Sequence, residues 1–261
     1  MDVQQPEQEF SSFLSKINKL SKLAKSVDAT ELISFISNLD PDMIGKFMKA
    51  AKSQKKGPPP MIEGDFYSIS ELLTSEERQY QFEIRMFMEK EVKPIADEYW
   101  MKAEFPHHLI EKVGKLGLGG LTYKGYGCRG MSHVLEGILA MEMARIDTSF
   151  STFFGVQSGL AMGSIYLCGS EEQKEKYLPL MRDFKLLGAF GLTEPLVGSG
   201  AAGGLTTTCK RDGDSWILNG QKKWIGNATF SDFTIIWARN VEDDRVKGFI
   251  VDSDTPGFKA E

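Results

Sequence analysis

The sequence of 261 residues is poor in the residue types that build metal sites and disulfide frameworks. It has three cysteines and three histidines. Cys128, Cys168 and Cys209 are scattered, without the spacing of metal ligands or of paired disulfides. We therefore expect no bound metal, and a reducing intracellular compartment in which the cysteines stay free.

An excess of basic charge and long apolar runs are missing as well. The formal net charge is −5 and the isoelectric point is near 5.4, which argues against a nucleic-acid partner, since such a partner favours a basic face. No apolar run approaches the roughly 20 residues that cross a bilayer, so we expect no transmembrane segment. The length is sufficient for two domains of ordinary size.

Residues 1–57 differ in pattern from the rest. Apolar residues recur at helical spacing from Phe10 to Leu23, with lysines between them. We expect a small helical extension that packs on the main body or on a partner chain. A basic amphipathic first helix also leaves open a membrane contact or a mitochondrial presequence, although the lack of arginine disfavours the presequence. Residues 58–65, which begin with three prolines, are predicted to be a linker.

Residues 66–185 are predicted to form a helical domain. Thr74 and Glu77 have the spacing of a capping box, and the helix after them should reach at least Lys93, where Pro94 removes a hydrogen bond and is expected to kink it. Further helices are predicted from Pro106 to Gly117, from Ser132 to about Ile146, from Ser149 to Leu167, and from a second capping box, Ser170 with Gln173, to Arg182.

After Leu187 the hydrophobic period changes towards two, so residues 186–261 are predicted to be a β domain. Asp212-Gly213 and Asn219-Gly220 have tight-turn chemistry. The predicted strands are Thr206 to Lys210, Trp216 to Leu218, Phe233 to Ala238 and Gly248 to Val251.

The strongest functional signal is the stretch from Phe190 to Gly203, which reads FGLTEPLVGSGAAG. Its glycines leave the backbone uncovered, so that a flat or phosphorylated ligand can approach the amides. Taken alone, such a stretch is more often a turn after a buried strand than a binding loop. A second stretch, NGQKKWIGN from Asn219 to Asn227, favours a ligand because it places a large aromatic, Trp224, before another break of small residues.

Together these stretches resemble the flavin-binding signatures of the acyl-CoA dehydrogenase and acyl-CoA oxidase family. Three more stretches agree and occur in the family's order: KGYGC from Lys124, RIDTS from Arg145 and CGSEEQKEKYLP from Cys168. The resemblance covers about residues 60–261. It is strongest to the plant-type peroxisomal short-chain acyl-CoA oxidases and to the glutaryl-CoA dehydrogenases.

The resemblance implies an α+β fold, in which an N-terminal all-α domain is followed by an antiparallel, β-barrel-like middle domain. The family's third domain, a bundle of four helices, is expected after Glu261 and has no counterpart in this sequence. That domain carries the proton-abstracting glutamate, usually in a Tyr-Glu-Gly-Thr-like run, which no stretch here matches. We therefore expect no catalytic base in this chain, and we assign Glu194 to the flavin loop.

The resemblance also implies the ligands, which are FAD and an acyl-CoA. In the family, a proton leaves Cα of the thioester and a hydride passes from Cβ to the flavin. Trp224 is expected to cover one flavin face, although without the companion motif it would be a core aromatic. Ser199 is expected to touch both the flavin and the CoA moiety. The predicted cofactor-binding residues are Phe190, Gly191, Leu192, Thr193, Gly198, Ser199, Trp224, Ile225 and Gly226.

Three positions depart from the family pattern. Gly200 stands where the family usually has aspartate, and Val197 stands where a smaller residue is usual, so we expect a weaker loop and a lower flavin affinity. Gly226 replaces the threonine of most dehydrogenases. The short-chain oxidases share that glycine, so we interpret it as a mark of the subgroup.

The substrate is narrowed by two further positions. Ser151 and Gly155 stand where glutaryl-CoA dehydrogenases have an arginine and a serine for the distal carboxylate. A buried carboxylate without a cationic partner costs several kcal/mol, so we do not expect a dicarboxylic substrate. The resemblance to the short-chain oxidases implies a straight-chain, short acyl-CoA. Phe153 and Phe154 either wall the acyl chain or are plain core residues. The predicted substrate-binding residues are Ser199, Phe153 and Phe154.

Two functions remain open at this point. One is FAD-dependent α,β-dehydrogenation of acyl-CoA, with a homo-oligomer or a partner chain covering the missing third domain. The other is a catalytically incomplete homologue that binds flavin and CoA or interacts with a protein. Resemblance to the oxidases favours oxygen as electron acceptor and a peroxisomal location, with the mitochondrial matrix or the cytoplasm as alternatives.

Overall fold

The structure is a computed structural model that describes residue 65, residues 67–197, residue 200 and residues 204–261. All of them belong to one unit, Glu63–Glu261. The predicted extension at 1–57, residues 58–64 of the predicted linker and the predicted site residues Gly198 and Ser199 lie outside the described residues.

Helices occupy the first part of the described chain and strands the last part. The helices are α1 Ser75–Phe87, α2 Lys93–Lys102, α3 Ile110–Gly114, α4 His133–Ala144, α5 Thr148–Gly155, α6 Met162–Cys168 and α7 Glu171–Arg182, with π-helical turns at Met88–Val92 and Val156–Ala161 and 3₁₀ turns at Ile69–Leu72 and His107–Leu109. The strands are β1 Lys124–Gly125, β2 Cys128–Arg129, β3 Gly188–Gly191, β4 Thr208–Asp212, β5 Ser215–Asn219, β6 Phe233–Asn240 and β7 Val246–Asp252. The predicted α+β class, helices followed by a β domain, is confirmed.

Both predicted capping boxes are present. At the start of α1, Thr74 Oγ1 accepts from the Glu77 amide at 3.2 Å and Glu77 Oε2 accepts from the Thr74 amide at 2.9 Å. The second oxygen of Glu77 accepts from the amide and the hydroxyl of Ser132, which caps α4. These bonds lower the pKa of the buried Glu77 carboxyl to about 2, the hydroxyl of Ser132 being the largest cause. One carboxylate therefore joins the starts of two helices.

The helix predicted from Thr74 differs from the expectation at Pro94. It continues beyond Lys93 and ends at Lys102, after a π-helical turn at Met88–Val92. Pro94 lies in the first turn of α2, where an amide is not needed for an intrahelical bond, so the proline is accommodated at a helix start. The helix predicted from Pro106 is also shorter: a 3₁₀ turn precedes α3, which ends at Gly114.

The long apolar helix predicted from Ser149 to Leu167 is divided by a second π-helical turn, Val156–Ala161. Gln157 in this turn is 0% exposed. Its amide nitrogen donates to the carbonyls of Met181 (3.0 Å) and Leu186 (2.8 Å), and its oxygen accepts from the amide of Gly188 at 2.7 Å. The π turn thus supplies a buried polar side chain that positions the start of β3.

The same π turn is held from its other side. Ser158 Oγ accepts from the amide of Gly120 at 2.7 Å, and the Tyr123 hydroxyl donates to the carbonyls of Ser158 (3.1 Å) and Gly159 (3.2 Å). Two carbonyls of the π turn therefore accept hydrogen bonds from Tyr123, a side chain far away in the sequence. The sequence gives no local signal for this, because every partner lies far away in the chain.

The main sheet has five strands in the order β3-β6-β4-β5, with β7 paired to β6. The β4–β5 and β6–β7 pairs are antiparallel. These two pairs have the expected antiparallel arrangement, whereas β3 and β4 both pair with β6 in parallel. Parallel pairing needs a crossover of a dozen or more residues, and the chain between β3 and β6 is long enough to provide it. Among the described strands the sheet is open and does not close into a barrel.

Two hydrophobic clusters hold this arrangement together. One lies among the helices and contains an aromatic group around Phe150 and Phe153. The other joins α6 and α7 to Phe233 and Ile235 of β6. The described residues contain no helix long and apolar enough to cross a membrane, and no group of three or more His, Cys, Asp or Glu side chains placed to hold a metal ion.

Replacing Gln157 with leucine should destabilise the protein by about 2 to 4 kcal/mol, because it leaves two buried carbonyls and one buried amide without their partner. The measurement is urea unfolding followed by far-UV circular dichroism. Gln79 is the matched control, because its amide makes an exposed bond to Glu83 within α1. Equal midpoints for Q157L and Q79L would contradict the positioning role of Gln157.

Candidate functional site

The second half of the glycine-rich stretch continues to Thr206, and we call residues 192–206 the glycine-rich loop. The buried carboxylate of Glu194 lies near its start. Glu194 Oε2 accepts from the amide and the hydroxyl of Thr206, both at 2.6 Å, and Oε1 accepts from the amide of Thr207 at 2.9 Å. The strand predicted from Thr206 therefore starts only at Thr208, since two amides that it would use in the ladder are bound to this carboxylate. The two ends of the loop are tied together.

A buried cation completes this cluster. Lys222 Nζ lies 2.8 Å from Glu194 Oε1 and also donates to the carbonyl of Leu192 at 3.0 Å. The two side chains are 8% and 0% exposed. Burial acts to raise the pKa of the Glu194 carboxyl, but the hydrogen bonds from Lys222, Thr206 and Thr207 outweigh it and hold that pKa well below its usual range. The carboxyl of Glu194 is therefore ionised at neutral pH. Burial also lowers the pKa of the Lys222 ammonium, against its hydrogen bond to Glu194, which acts to raise it.

The second sequence stretch is joined directly to the first. The amide of Lys223 donates to the carbonyl of Thr193 at 2.9 Å, and the Thr207 hydroxyl donates to the carbonyl of Gln221 at 3.4 Å. The two stretches that the sequence analysis selected independently are thus neighbours. Thr193 itself is half-buried.

Trp224 lies on an unusual turn. Its φ is +59°, in the left-handed region that bulky residues avoid, and its side chain is 83% exposed. The ammonium of Lys223 lies 4.5 Å from the ring centroid. An exposed indole held in a strained backbone is typical of a surface that binds a flat ligand rather than of a core position. The alternative of a core aromatic is not what the structure shows.

Asn227 ends this turn and attaches it to the helices. It is buried, has a φ of +68°, and its side-chain amide donates to the carbonyl of Phe153 in α5 at 3.2 Å. Its own carbonyl accepts from the amides of Phe230 and Ser231. Asparagine tolerates the left-handed region better than most residues, so it suits this position.

Of the three predicted glycines, the two that the structure describes differ in what surrounds them. A Cβ on Gly191 would lie 2.7 Å from Ile236 Cδ1, so packing within the sheet requires that glycine. A Cβ on Gly226 would meet only Val156 Cγ2, at 3.2 Å. A side chain at position 226 would therefore press on Val156, in the π turn. Phe190, in β3, is half-buried and contacts Trp237 edge to face with centroids 6.2 Å apart.

The predicted substrate residues Phe153 and Phe154 are buried in α5. Phe153 packs on Phe105 with ring centroids 4.6 Å apart, and Phe154 packs on Phe184 at 5.5 Å. Both make the contacts of core residues. A role for either as a wall of an acyl site stays a prediction.

Sequence reasoning missed the side chains that hold the loop. Lys222, Thr206 and Thr207 lie in or beside the selected stretches, yet none was given a role. Asn227 was also included in a motif without one. The only local signal is a pair of opposite charges, Glu194 and Lys222, each placed next to a glycine-containing segment.

Profiles of known protein families match most of the described chain. The profile of the acyl-CoA dehydrogenase N-terminal domain matches residues 74–185, and that of the acyl-CoA dehydrogenase middle domain matches residues 189–261. The chain is 37% identical over 191 residues to an acyl-CoA dehydrogenase of Bacillus subtilis, covering 71% of this chain and 50% of that protein. It is 39% identical over 178 residues to a 3-(aryl)acrylate reductase of Clostridium sporogenes, covering 66% and 47%.

Solved structures agree with this result. A glutaryl-CoA dehydrogenase of Mycobacterium smegmatis, crystallised in complex with FADH2, superposes with a TM-score of 0.70 at 41% identity, over 75% of this chain and 50% of that one. The chain spans about half the length of these relatives.

Replacing Glu194 with glutamine should lower the free energy of unfolding at pH 7 by about 3 to 5 kcal/mol, because Lys222 then stays buried without a counter-ion. The measurement is urea unfolding of E194Q and of the exposed variant E175Q, which should match the wild type.

The variant E194Q also tests how the free energy of unfolding depends on pH. Since the pKa of Glu194 in the folded state lies below its ordinary value of 4.5, its contribution to stability is present above pH 4.5 and is lost as the pH falls from there towards the folded-state pKa. The stability of E194Q should therefore fall less steeply in this range than that of the wild type. Parallel curves for the two proteins would rule out Glu194 as a charged, stabilising group.

Proposed function

Because this chain belongs to the acyl-CoA dehydrogenase family, we propose that it binds FAD and an acyl-CoA thioester and forms the N-terminal and middle part of a unit for α,β-dehydrogenation. The observation that carries the proposal is the hydrogen bond from the amide of Lys223 to the carbonyl of Thr193. It brings the glycine-rich loop against the turn that presents Trp224, the two segments that the resemblance assigns to the flavin.

The residues present fit a flavin. The exposed indole of Trp224 offers a flat, accessible apolar face. Leu192 and Thr193 would supply hydrogen bonds to the flavin edge, from a segment that Lys222 and Lys223 hold by its carbonyls. When bound, FAD would supply the hydride acceptor of the reaction. The role of the chain is to orient it against the substrate.

The substrate we propose is a straight-chain, short acyl-CoA. Ser151, at the position of the arginine expected for a distal carboxylate, donates its hydroxyl to the carbonyl of Ala140 at 3.5 Å. Gly155, at the position of the expected serine, has open space where a Cβ would be. Neither residue supplies a cation for a second carboxylate, which supports a monocarboxylic acyl chain.

Proton abstraction needs a carboxylate with a free lone pair. Glu194 does not meet this condition, because Thr206, Thr207 and Lys222 occupy both of its oxygens. We therefore propose that the base comes from outside the described residues. This observation also favours the second candidate function, a module that binds flavin and CoA, or another protein, without catalysing dehydrogenation.

The relatives reported above are dehydrogenases and a reductase, and none of them bears on where this chain acts. Oxygen as electron acceptor, a peroxisomal location and a homo-oligomer or partner chain that completes the unit stay predictions.

The proposal is tested by measuring FAD bound to the purified chain after gel filtration, for the wild type, W224L and W100L. Loss of the stacking face in W224L should weaken FAD binding about tenfold. Trp100 is the matched control, because it is 73% exposed but lies on α2. W100L should bind FAD as the wild type does. A wild-type chain that retains no FAD, or equal losses in both variants, would overturn the proposed site.

Anaerobic addition of butyryl-CoA or hexanoyl-CoA to the FAD-loaded chain then separates the two candidate functions. Bleaching of the visible flavin band supports dehydrogenation by this chain. An unchanged band with retained FAD supports the binding module.

A further inference from the structure

Gly200 and Gly204 are two described glycines of the glycine-rich loop, and a hydrogen bond joins them. The amide of Gly204 donates to the carbonyl of Gly200 at 2.6 Å. Neither residue has a φ in the left-handed region. A left-handed backbone therefore does not explain why both positions are glycine.

The cause is the side chain of Val197. A Cβ added to Gly200 would overlap Val197 Cγ1, and a Cβ added to Gly204 would lie 3.2 Å from the same methyl group and 3.2 Å from the Gly200 Cα. The methyl group of Val197 occupies the place of a side chain at position 200 and would crowd one at position 204. A larger residue at either position therefore requires Val197 to move.

We infer that Val197 is a positioning residue of the glycine-rich loop, and that it fixes the loop by seating on Gly200 and Gly204. This inference rests on the proposed function, in which the loop lines the flavin. Val197 and Gly200 are the two positions of this loop at which the sequence departs from the family pattern. Taken separately, each change was expected to weaken the loop. The contact makes them a matched pair, in which the larger side chain at 197 occupies the space left by the missing side chain at 200.

The same loop is also fixed by the hydrogen bonds of Glu194. Glu194, three positions before Val197, is bonded to Thr206 and Thr207, and Gly204 lies just before them. The carbonyl of the intervening Leu205 accepts from Arg239 Nε at 3.1 Å. The base of the loop is therefore closed by a charged cluster and its body by an apolar contact. Displacing the apolar contact should alter the loop while leaving the base intact.

The test is a double-mutant cycle in the full chain with V197A, G200A and V197A/G200A. G200A introduces a methyl group into space that Val197 holds, so it should weaken FAD binding about tenfold or more. V197A empties that space, so the double variant should bind FAD within about threefold of V197A alone. The visible circular dichroism of the bound flavin should change in G200A and return in the double variant.

The matched control is G137A. Gly137 lies on α4 with open space where a Cβ would be, so the substitution should leave FAD affinity unchanged. An affinity of the double variant equal to the product of the two single effects would overturn the inference, since independent sites behave in that way.

Hydrogen exchange of residues 192–206 in the FAD-free chain distinguishes this inference from the proposed function. G200A should raise exchange in this segment, and the double variant should restore it towards V197A. If the wild type binds no FAD, the proposed function fails, and this exchange cycle still decides the role of Val197. Unchanged exchange in G200A would overturn it.

Discussion

The functional half of this structure depends on the buried carboxylate of Glu194. Burying a charge costs several kcal/mol unless it is paired and fully hydrogen-bonded. Here two backbone amides, a hydroxyl and the Lys222 ammonium all converge on the two oxygens. Lys222 in turn holds the carbonyl of Leu192. One carboxylate therefore fixes three segments of the chain. The loop that we assign to the flavin connects two of them.

Next to the helices, the uncharged side chain of Gln157 likewise joins separate segments of the chain. Its amide bonds to the end of α7, to the connection that follows and to the first residue of β3. A neutral amide satisfies both donors and acceptors and carries a smaller desolvation cost than an ion. It also requires a helix that presents this side chain towards the sheet, and the π turn at Val156–Ala161 provides that register. The sheet is thus positioned at its start by Gln157 and at its loop by Glu194.

The sequence predicted those structural features whose interacting residues lie within a few positions of one another. Helix starts set by capping boxes, at Thr74 and Ser170, were predicted at the correct residue because all their partners lie within three positions. The α+β class followed from the change in hydrophobic period. The π turns, the late start of β4 and the parallel pairing with β6 were not predicted. Each of these depends on partners far away in the sequence.

The candidate site likewise has local features, which the sequence predicted, and contacts between distant segments, which it did not. Its two stretches were found from glycine content and from Trp224, which are local features. Their junction, through Lys222, Lys223 and Thr207, was not predicted, since a hydrogen bond between distant segments leaves no mark in the spacing of either. Val197 and Gly200 are an intermediate case: both residues were noted, but only the structure places the Val197 methyl group where a Cβ on Gly200 would lie.

The turn at Trp224 shows what these distant contacts achieve. A bulky residue in the left-handed region costs roughly 1 to 2 kcal/mol, and a fully exposed indole forgoes the gain of burial. Such a turn persists only when its surroundings fix it. Two bonds do so, from Lys223 to the carbonyl of Thr193 and from Asn227 to the carbonyl of Phe153. The first bond attaches the turn to the glycine-rich loop and the second attaches it to α5, so the position of the ring is fixed before a ligand binds. A binding face prepared in this way loses less conformational entropy on association, which is the physical reason to retain a strained, exposed tryptophan between two rigid supports.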